Sequence, residues 1–373
     1  MSNSSNFDLR VNFATTLRSK NKGKIAFELP FLIPDGPERL FGVLGIGNAI
    51  VDRLAYSQDS DIEKLGMAKG AMTLVDKEKA FDIEGQIIEK GLKFSQVSGG
   101  SAANTMAGLA NLGVRAAFVG SVSDDAIGSA FIDDLHQIGV TCIGMEPLET
   151  KAHGSGICHV LVTPDAERSM ATYLGAASEV TYSDHLESAI NSSSILYLEG
   201  YLFDSPVAKE TLFQAIDAAK KSGTIVAISL SDPFVVERYR HELSEIVFGG
   251  LTDIVFANSD ETQILAGAKS FDEALKAFLK DGLLAALTAG SKGAVVVSNS
   301  QKYHIDSTVV NIVVDTTGAG YLFAAGFLAG LLIGESLQKA GSLGSLSAAE
   351  VISLLGARPP VTLMDMAVER GLI

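Results

Sequence analysis

Between residues 41 and 305 the sequence alternates between short apolar segments and segments with helical spacing, and this alternation constrains the fold more than any other feature. Residues 192–202 contain the apolar run ILYL, residues 206–223 have helical periodicity and end at a glycine, and residues 224–232 are again mostly apolar. Strands that are buried on both faces give continuous apolar runs, which is typical of parallel sheets. The pattern predicts an α/β fold with a doubly wound, mostly parallel sheet and helices on both faces.

Two stretches, residues 53–75 and 151–174, interrupt this rhythm and alternate like exposed antiparallel strands. We expect them to form a small β-sheet lid that projects over the carboxyl edge of the main sheet, where ligands of parallel sheets bind. A lid there would exclude water from a transfer reaction. The alternative is a pair of edge hairpins without a gating role.

Residues 1–40 differ from the rest of the chain. Residues 1–24 are polar and basic, with Asp8 as their only acid, and they lack the apolar core of a secretory signal. We expect residues 1–40 to be a poorly ordered or peripheral extension, or the result of an upstream start codon, and the alternative is an amphipathic targeting segment. The folded domain is then predicted to span residues 41–373.

Composition and charge exclude several classes of partner. The net charge is −15, which argues against nucleic acid because phosphate backbones are bound by basic faces. No apolar run approaches the ~20 residues needed to span a bilayer, and the longest, residues 322–334, predicts a buried helix. Cys142 and Cys158 match no zinc or redox spacing, which favours the reducing cytoplasm. His153, His159 and the other histidines show no metal-ligand or triad spacing, and monomer and homodimer both stay open.

Residues 315–320 (DTTGAG) lie between a strand-like segment and a helix rich in Ala, Phe and Leu. The small residues Gly318, Ala319 and Gly320 allow backbone N–H groups to point outward, and a helix N-terminus adds partial positive charge. Together these features predict an anion hole suited to a phosphoryl group during transfer.

This segment and eight further motifs resemble the ribokinase-like (PfkB) family of carbohydrate and nucleoside kinases, and within it the bacterial adenosine kinases. The resemblance covers about residues 43–367 and implies transfer of phosphate from ATP to the 5′-hydroxyl of adenosine, with Mg²⁺. The other motifs are GIGNAIVD (45–52), SGGSAANT (98–105), DDAIG (124–128), ERSMATYLGAA (167–177), YLEGYLFD (197–204), NSDE (258–261), TAGSKG (288–293) and SLSAAEVIS (345–353).

The resemblance implies that Asp52 and Asn104 bind the ribose hydroxyls of the acceptor. A carboxylate and an amide suit a vicinal diol because they offer both acceptors and a donor. For Asp52 and its neighbour Asn48 the alternative is an ordinary turn and helix cap. The remaining residues expected beside the acceptor are Asn48, Gly99, Gly100 and Ser101.

The resemblance also assigns residues to the phosphates and cations. Arg168 matches an arginine that reaches the transferring phosphate from the lid, where a planar guanidinium suits phosphate oxygens. Asn258 and Glu261 match a pair that organises Mg²⁺ mostly through water. Asp315 and Thr317 match positions where relatives bind a potassium-type monovalent cation. The expected ATP-binding residues are Asn258, Thr288, Gly290 and Gly293 near the phosphates, and Ser347, Ala348 and Val351 beside the adenine.

At position 321 the sequence departs from the family. Relatives carry an aspartate there that takes the proton from the attacking hydroxyl, whereas this chain has Tyr321. A phenol with a pKa of about 10 is ionised in only about one molecule in a thousand at pH 7. Loss of a general base typically costs ~10²–10⁴ in rate, although positioning and charge stabilisation supply most of the catalysis of phosphoryl transfer. The ring would also lie where hydroxyl and phosphate must meet.

Three explanations of Tyr321 are open. The chain is a natural pseudokinase that binds nucleoside or nucleotide, or a substituted, inactive form of a normal enzyme, or its helix start is shifted so that another carboxylate serves. The last is disfavoured because no acid follows before Glu335. We expect an adenosine kinase with impaired chemistry, and the alternatives are a sugar kinase of the ribose or fructose type and a protein that binds nucleoside or ATP without turnover.

Overall fold

The structure is a computed structural model that describes residues 28–147, 154–165, 167–358 and 363–373. Three parts of the predicted segments lie outside the described residues: positions 1–27 of the N-terminal extension, positions 151–153 of the second lid segment, which include His153, and position 166 of the same segment.

The described part of the extension packs against the domain. Leu29 is buried in the main core, and Oε2 of Glu28 accepts a hydrogen bond from the backbone N–H of Leu337 at 2.7 Å. The backbone carbonyl of Glu28 also accepts a hydrogen bond from Oγ of Ser298. Residues 28 and 29 therefore lie against the folded domain.

The secondary structure alternates between strands and helices as predicted. The strands are β1 (Phe41–Ile46), β2 (Ile50–Tyr56), β3 (Met72–Leu74), β4 (Ser95–Ser98), β5 (Ala116–Val119), β6 (Thr141–Cys142), β7 (Gly156–Val162), β8 (Arg168–Tyr173), β9 (Ser193–Glu199), β10 (Ile225–Ser229), β11 (Ile254–Asn258), β12 (Leu284–Thr288), β13 (Ala294–Ser298) and β14 (Gln301–Ile305). The helices are α1 (Asp59–Leu65), α2 (Lys77–Glu89), α3 (Ser101–Asn111), α4 (Ala126–Ile138), α5 (Asp184–Asn191), α6 (Pro206–Ser222), α7 (Pro233–Arg238), α8 (Arg240–Phe248), α9 (Ser259–Ala266), α10 (Phe271–Ala274), α11 (Ala319–Leu332), α12 (Leu337–Ile352) and α13 (Leu363–Glu369).

The main sheet has nine strands in the order β14-β13-β12-β11-β10-β9-β1-β5-β6. All neighbours from β12 to β6 pair in parallel, and only β13 runs in the opposite direction, so that it pairs antiparallel with both β12 and β14. Successive residues of β9 enter opposite cores: Ile195 and Tyr197 pack on one face, and Leu196 and Leu198 on the other. Helices cover both faces, so the predicted doubly wound, mostly parallel sheet is confirmed.

Helix α6 shows how the sequence sets these elements. Oγ of Ser205 caps the first turn by accepting a hydrogen bond from the N–H of Ala208, and Pro206 occupies the first helical position. At the other end Gly223 adopts φ +71°, a left-handed conformation that ends helices. The same signals made this helix predictable from its sequence.

A second, small sheet has five strands in the order β3-β8-β7-β2-β4, as the predicted fold class requires. Strands β2, β3, β7 and β8 lie within or overlap the predicted segments 53–75 and 151–174, although β2 begins at Ile50, α1 lies within residues 53–75, and β4 supplies an edge strand. The sheet is not simply antiparallel, since β2 pairs with β7 in parallel. The residues of β7 are buried because α1 and α2 cover one face of the sheet, where Ile62 and Ile83 pack on Leu161.

The apolar run predicted as a buried helix is α11, whose residues from Leu322 to Leu332 are all buried. Small residues allow close approach: a Cβ on Gly326 would lie 2.5 Å from the carbonyl oxygen of Leu343 in α12. Within the described ranges, none of the helices has the combination of length and apolarity that crossing a membrane demands.

Candidate active site

Glu199, the last residue of β9, ties together the two loops that carry the predicted acceptor-binding residues. Its carboxylate accepts hydrogen bonds from the backbone N–H of Asn48 at 2.7 Å, from the backbone N–H of Ala102 at 2.8 Å and from Oγ of Ser101. Burial raises the pKa of Glu199, and these hydrogen bonds oppose the rise. Sequence reasoning missed this residue, although an acid at the end of a buried parallel strand was the available signal.

Asp52 and Asn104 lie on β2 and in the first turn of α3, on opposite sides of the two glycines. A Cβ on Gly99 would lie 2.5 Å from the carboxylate of Asp52, so a larger residue there would displace this carboxylate. Gly100 adopts φ +82°, and a Cβ there would lie 2.5 Å from the carbonyl oxygen of Asn48. The structure therefore brings the predicted acceptor-binding residues together.

A cavity with about 630 Å³ of space, including its opening to solvent, lies between the main sheet and the small sheet. Its polar side contains Asn48, Asp52, Ser101 and Asn104, together with Glu199, Tyr201 and Asp204. Its apolar side comes mainly from the small sheet and consists of Ile50, Met72, Leu74, Met170 and Leu174. We call this space the acceptor cavity.

A second, larger space, the phosphate cleft, contains about 1730 Å³ including its opening to solvent. Most of the predicted phosphate and cation residues line it. These are Arg168, Asn258, Glu261, Thr288, Gly290, Thr317, Gly318, Ala319 and Gly320. Tyr321 lines both the acceptor cavity and the phosphate cleft, so the two spaces meet at this residue.

The N-terminus of α11 opens into the phosphate cleft. Gly318 is the N-cap and adopts φ +85°, a left-handed conformation. A Cβ on Gly320 would meet no atom within 4 Å, so the cleft is open at this turn. The first N–H groups of a helix have no intrahelical partner, which leaves them available to an anion. The backbone at this turn is suited to binding an anion, and the anion hole itself stays a prediction.

Tyr321 follows in the first turn of α11, so the helix start is not shifted. Burial raises the pKa of its phenol well above the usual range, and the charges of Glu199 and Asp52 raise it further. The phenol is therefore protonated at neutral pH and cannot serve as a base. The two carboxylates come from distant parts of the chain and act on the same ring.

Asn258 and Glu261 form a capping box at the start of α9. The side-chain oxygen of Asn258 accepts from the N–H of Glu261 at 2.9 Å, and Glu261 accepts from the N–H and Nδ2 of Asn258 at 2.9 and 2.6 Å. Burial raises the pKa of Glu261 to about 8, and the charge of Asp232 adds to the rise. Asp232 also lines the cleft and was not predicted.

These carboxyl groups fit a divalent cation. Burial raises the pKa of Asp232 as it does that of Glu261, and a cation between them would favour the ionised form of both groups. Oxygen donors with few direct protein contacts suit Mg²⁺. No group of three or more His, Cys, Asp or Glu side chains that could hold a metal by itself occurs among the described residues, so an ion here would need ligands from phosphate or water.

Asp315 does not fit the predicted monovalent cation in this arrangement. Its Oδ1 lies 3.2 Å from Nη1 of Arg168 and accepts from the N–H of Thr317 at 2.9 Å, and its Oδ2 accepts from the N–H of Gly356 at 2.8 Å. A guanidinium and two N–H donors surround the carboxylate, and each of them repels a cation.

Three predicted nucleotide-binding residues do not line the phosphate cleft. Gly293 closes the turn between β12 and β13 with φ +84°. Ser347 and Val351 are fully buried, and Oγ of Ser347 donates to the carbonyl of Leu343 at 2.8 Å. These two side chains face the core, and their place beside an adenine stays a prediction. Ala348 is only half-buried and packs against the same core.

The opposite side of α12 lines a groove that the sequence reasoning missed. Leu346, Ala349, Glu350 and Ser353 lie there beside the segment 308–312. Val309 and Ile312 of that segment are 88% and 69% exposed, so apolar surface is available in the groove. Each of these residues lies one or two positions along α12 from a predicted one, and therefore on a different side of the helix.

Comparisons with known proteins identify a family and several solved structures to which this chain is similar. A family model described as "pfkB family carbohydrate kinase" matches residues 59–363. The crystal structure of an adenosine kinase from Sinorhizobium meliloti is 41% identical, with a TM-score of 0.82 and coverage of 88% of this chain and 99% of that one. A probable sugar kinase protein from Rhizobium etli CFN 42 is 39% identical, with a TM-score of 0.83 and coverage of 89% and 99%.

A curated relative is similar over most of the chain. An adenosine kinase from Saccharomyces cerevisiae is 28% identical over 335 residues, which are 84% of this chain and 96% of the relative.

Proposed function

The chain belongs to the pfkB family of carbohydrate kinases, and from this premise we propose that its acceptor is adenosine, which ATP phosphorylates at the 5′-hydroxyl to give AMP and ADP. As a family member the protein is a phosphotransferase that acts on a sugar or nucleoside hydroxyl. One observation carries the transfer step: Tyr321 lines both the acceptor cavity and the phosphate cleft. Position 321 is therefore the place where a hydroxyl in one space would meet a phosphate in the other.

The shape of the acceptor cavity supports a nucleoside. Asp52 and Asn104 offer an acceptor and a donor to the ribose diol, as the resemblance implies. The apolar side chains of the small sheet, among them Met72 and Met170, give a surface on which a purine ring can pack. A free sugar would leave this apolar surface without a partner.

The phosphate cleft supports ATP as the donor. Glu261 and Asp232 would hold Mg²⁺ mostly through its water, and the ion when bound neutralises phosphate charge. Arg168 would contact the transferring phosphate, since its Nε is buried and has no hydrogen-bond partner within the described part of the chain. The groove beside Ala349 would take the adenine of ATP.

Tyr321 lowers the activity of this site. A protonated phenol cannot accept the proton of the 5′-hydroxyl, so the step depends on positioning and on charge stabilisation alone. Tyr321 also favours the second candidate, a protein that binds nucleoside or ATP with little turnover. The third, a free-sugar kinase, is supported by the name of the Rhizobium etli protein.

Calorimetric titration of the chain with adenosine, ribose and fructose tests the acceptor. We expect adenosine to bind and the two sugars to bind at least about tenfold more weakly, because they lack the purine. Sugar binding as tight as adenosine binding would contradict the proposal. The cytoplasm is the compartment we propose, since Cys142 and Cys158 are both free thiols.

A further inference from the structure

The short segment of residues 356–358, between α12 and α13, touches both halves of the site. The N–H of Gly356 donates to Oδ2 of Asp315 at 2.8 Å. Ala357 packs on the N-cap of α11, where a Cβ on Gly318 would lie 2.8 Å from the Cα of Ala357. The segment is therefore fixed against the loop that opens the phosphate cleft.

The next residue, Arg358, reaches the loop that carries the acceptor-binding residues. Its Nε donates to Oδ1 of Asn104 at 2.8 Å, and its Nη2 lies 3.5 Å from the carbonyl oxygen of Gly99. Its Nη1 forms an ion pair with Asp134 of α4. The side chain is only 14% exposed, so these contacts hold the guanidinium in place.

These contacts decide how the amide of Asn104 points. A guanidinium has only donors, so the atom of Asn104 that faces Arg358 must be the oxygen. The Nδ2 group is then left for the acceptor cavity, which Asn104 lines. Asp52, on the other side of the cavity, offers only acceptors when it is ionised.

Arg358 also acts on the charge of Asp52. Burial raises the pKa of Asp52 to about 6, while the charges of Arg168 and then Arg358 lower it and that of Asp315 raises it. Without Arg358 a larger fraction of Asp52 would be protonated near neutral pH. The arginine therefore favours the ionised, accepting form of this carboxylate.

We propose that Arg358 is a positioning residue of the acceptor site, which holds the amide of Asn104 so that its Nδ2 donates to the ribose diol. The acceptor then meets one fixed donor, from Asn104, and one fixed acceptor, from Asp52. This inference rests on the proposed function and names a residue outside the motifs that carry the family resemblance.

The test compares binding of adenosine and of 2′,3′-dideoxyadenosine, which lacks both hydroxyls, by calorimetry. The variants are Arg358→Met, which places a methyl group where Nε stands, Arg358→Lys, and the control Asp134→Asn, which keeps the arginine and removes only its ionised partner. We expect the chain to prefer adenosine and both Arg358 variants to lose about fivefold to tenfold of this preference. Asp134→Asn should keep it, because the bond from Nε to Asn104 remains.

Thermal melting of each variant shows whether it is folded, and Arg358→Lys decides the question if the methionine variant does not fold, because lysine keeps a positive charge beside Asp134. An unchanged preference in the folded Arg358 variants would overturn the inference, as would an equal loss in Asp134→Asn. If the unaltered chain binds adenosine no better than the dideoxy analogue, the proposed function falls and the inference falls with it.

Discussion

Nη1 of Arg168 lies 3.2 Å from Oδ1 of Asp315, so a buried ion pair links the small sheet to the loop that precedes α11. Arg168 stands at the start of β8, and Asp315 precedes the anion hole by three residues. The pair closes the small sheet onto the phosphate cleft. The carboxylate of Asp315 also accepts hydrogen bonds from two backbone N–H groups, those of Thr317 and Gly356. These bonds fix the carboxylate to the backbone of the main domain.

We predict that Asp315→Asn lowers the free energy of unfolding by about 3 kcal/mol, since it leaves the buried charge of Arg168 without a partner. Urea denaturation followed by circular dichroism measures this change. The matched control is Asp281→Asn at an exposed position, which should stay within about 0.5 kcal/mol of the unaltered chain. Equal stabilities of the two variants would contradict the structural role of the pair.

Glu261 should make stability depend on pH. Its pKa is raised from 4.5 to about 8 by burial, so the folded protein binds a proton that the unfolded chain releases above pH 4.5. The resulting stabilisation is complete below that pH and is lost as the pH rises through about 8. Between pH 5.5 and 8 the loss amounts to up to about 3 kcal/mol.

Urea denaturation at pH 5.5, 7 and 8.5 measures this slope in the unaltered chain, in Glu261→Gln and in the exposed control Asp272→Asn. We expect the glutamine variant to lose most of the slope and the control to keep it. A slope that Glu261→Gln leaves intact would show that other groups, such as Asp52, are responsible.

Gly100→Ala should damage both the fold and the acceptor site. The residue has φ +82°, and the added Cβ would lie 2.5 Å from the backbone oxygen of Asn48, so the loop must move. We expect a loss of about 2 kcal/mol in stability and weaker adenosine binding, measured by denaturation and calorimetry.

The control for that substitution is Gly85→Ala in the exposed middle of α2, where a Cβ meets no atom within 4 Å. It should raise stability by about 0.5 kcal/mol and leave adenosine binding unchanged. If Gly100→Ala instead raised stability and left adenosine binding unchanged, the close approach of residue 100 to the backbone oxygen of Asn48 would be wrong.

The sequence allowed the main sheet and the order of its elements to be predicted, because buried parallel strands and glycine-terminated helices have strong local signals. The limits of the small sheet were harder to predict. Ile50 begins β2, where it pairs in parallel with Gly156 of β7, more than a hundred residues later in the chain. Such pairing leaves no local signal.

The parts of the candidate site that need the backbone conformation of glycine, as at Gly100 and Gly318, were predictable from the sequence. The parts that depend on how one helix packs on another were less predictable. Ser347 and Val351 occupy the buried face of α12 because α11 packs there, and the sequence of α12 alone does not fix its rotation. Glu199 and Arg358 were missed because each acts on residues about one hundred or more positions away.

The most direct measurement compares the unaltered chain with Tyr321→Asp and Tyr321→Asn, following AMP formation from adenosine, ATP and Mg²⁺. The asparagine variant removes the ring without adding a base, so it separates steric blocking from loss of the base. We predict that Tyr321→Asp is at least ~10²-fold faster than the unaltered chain and also faster than Tyr321→Asn. Equal rates for the tyrosine and aspartate forms would contradict the role of position 321, and no AMP from either would contradict adenosine as the acceptor.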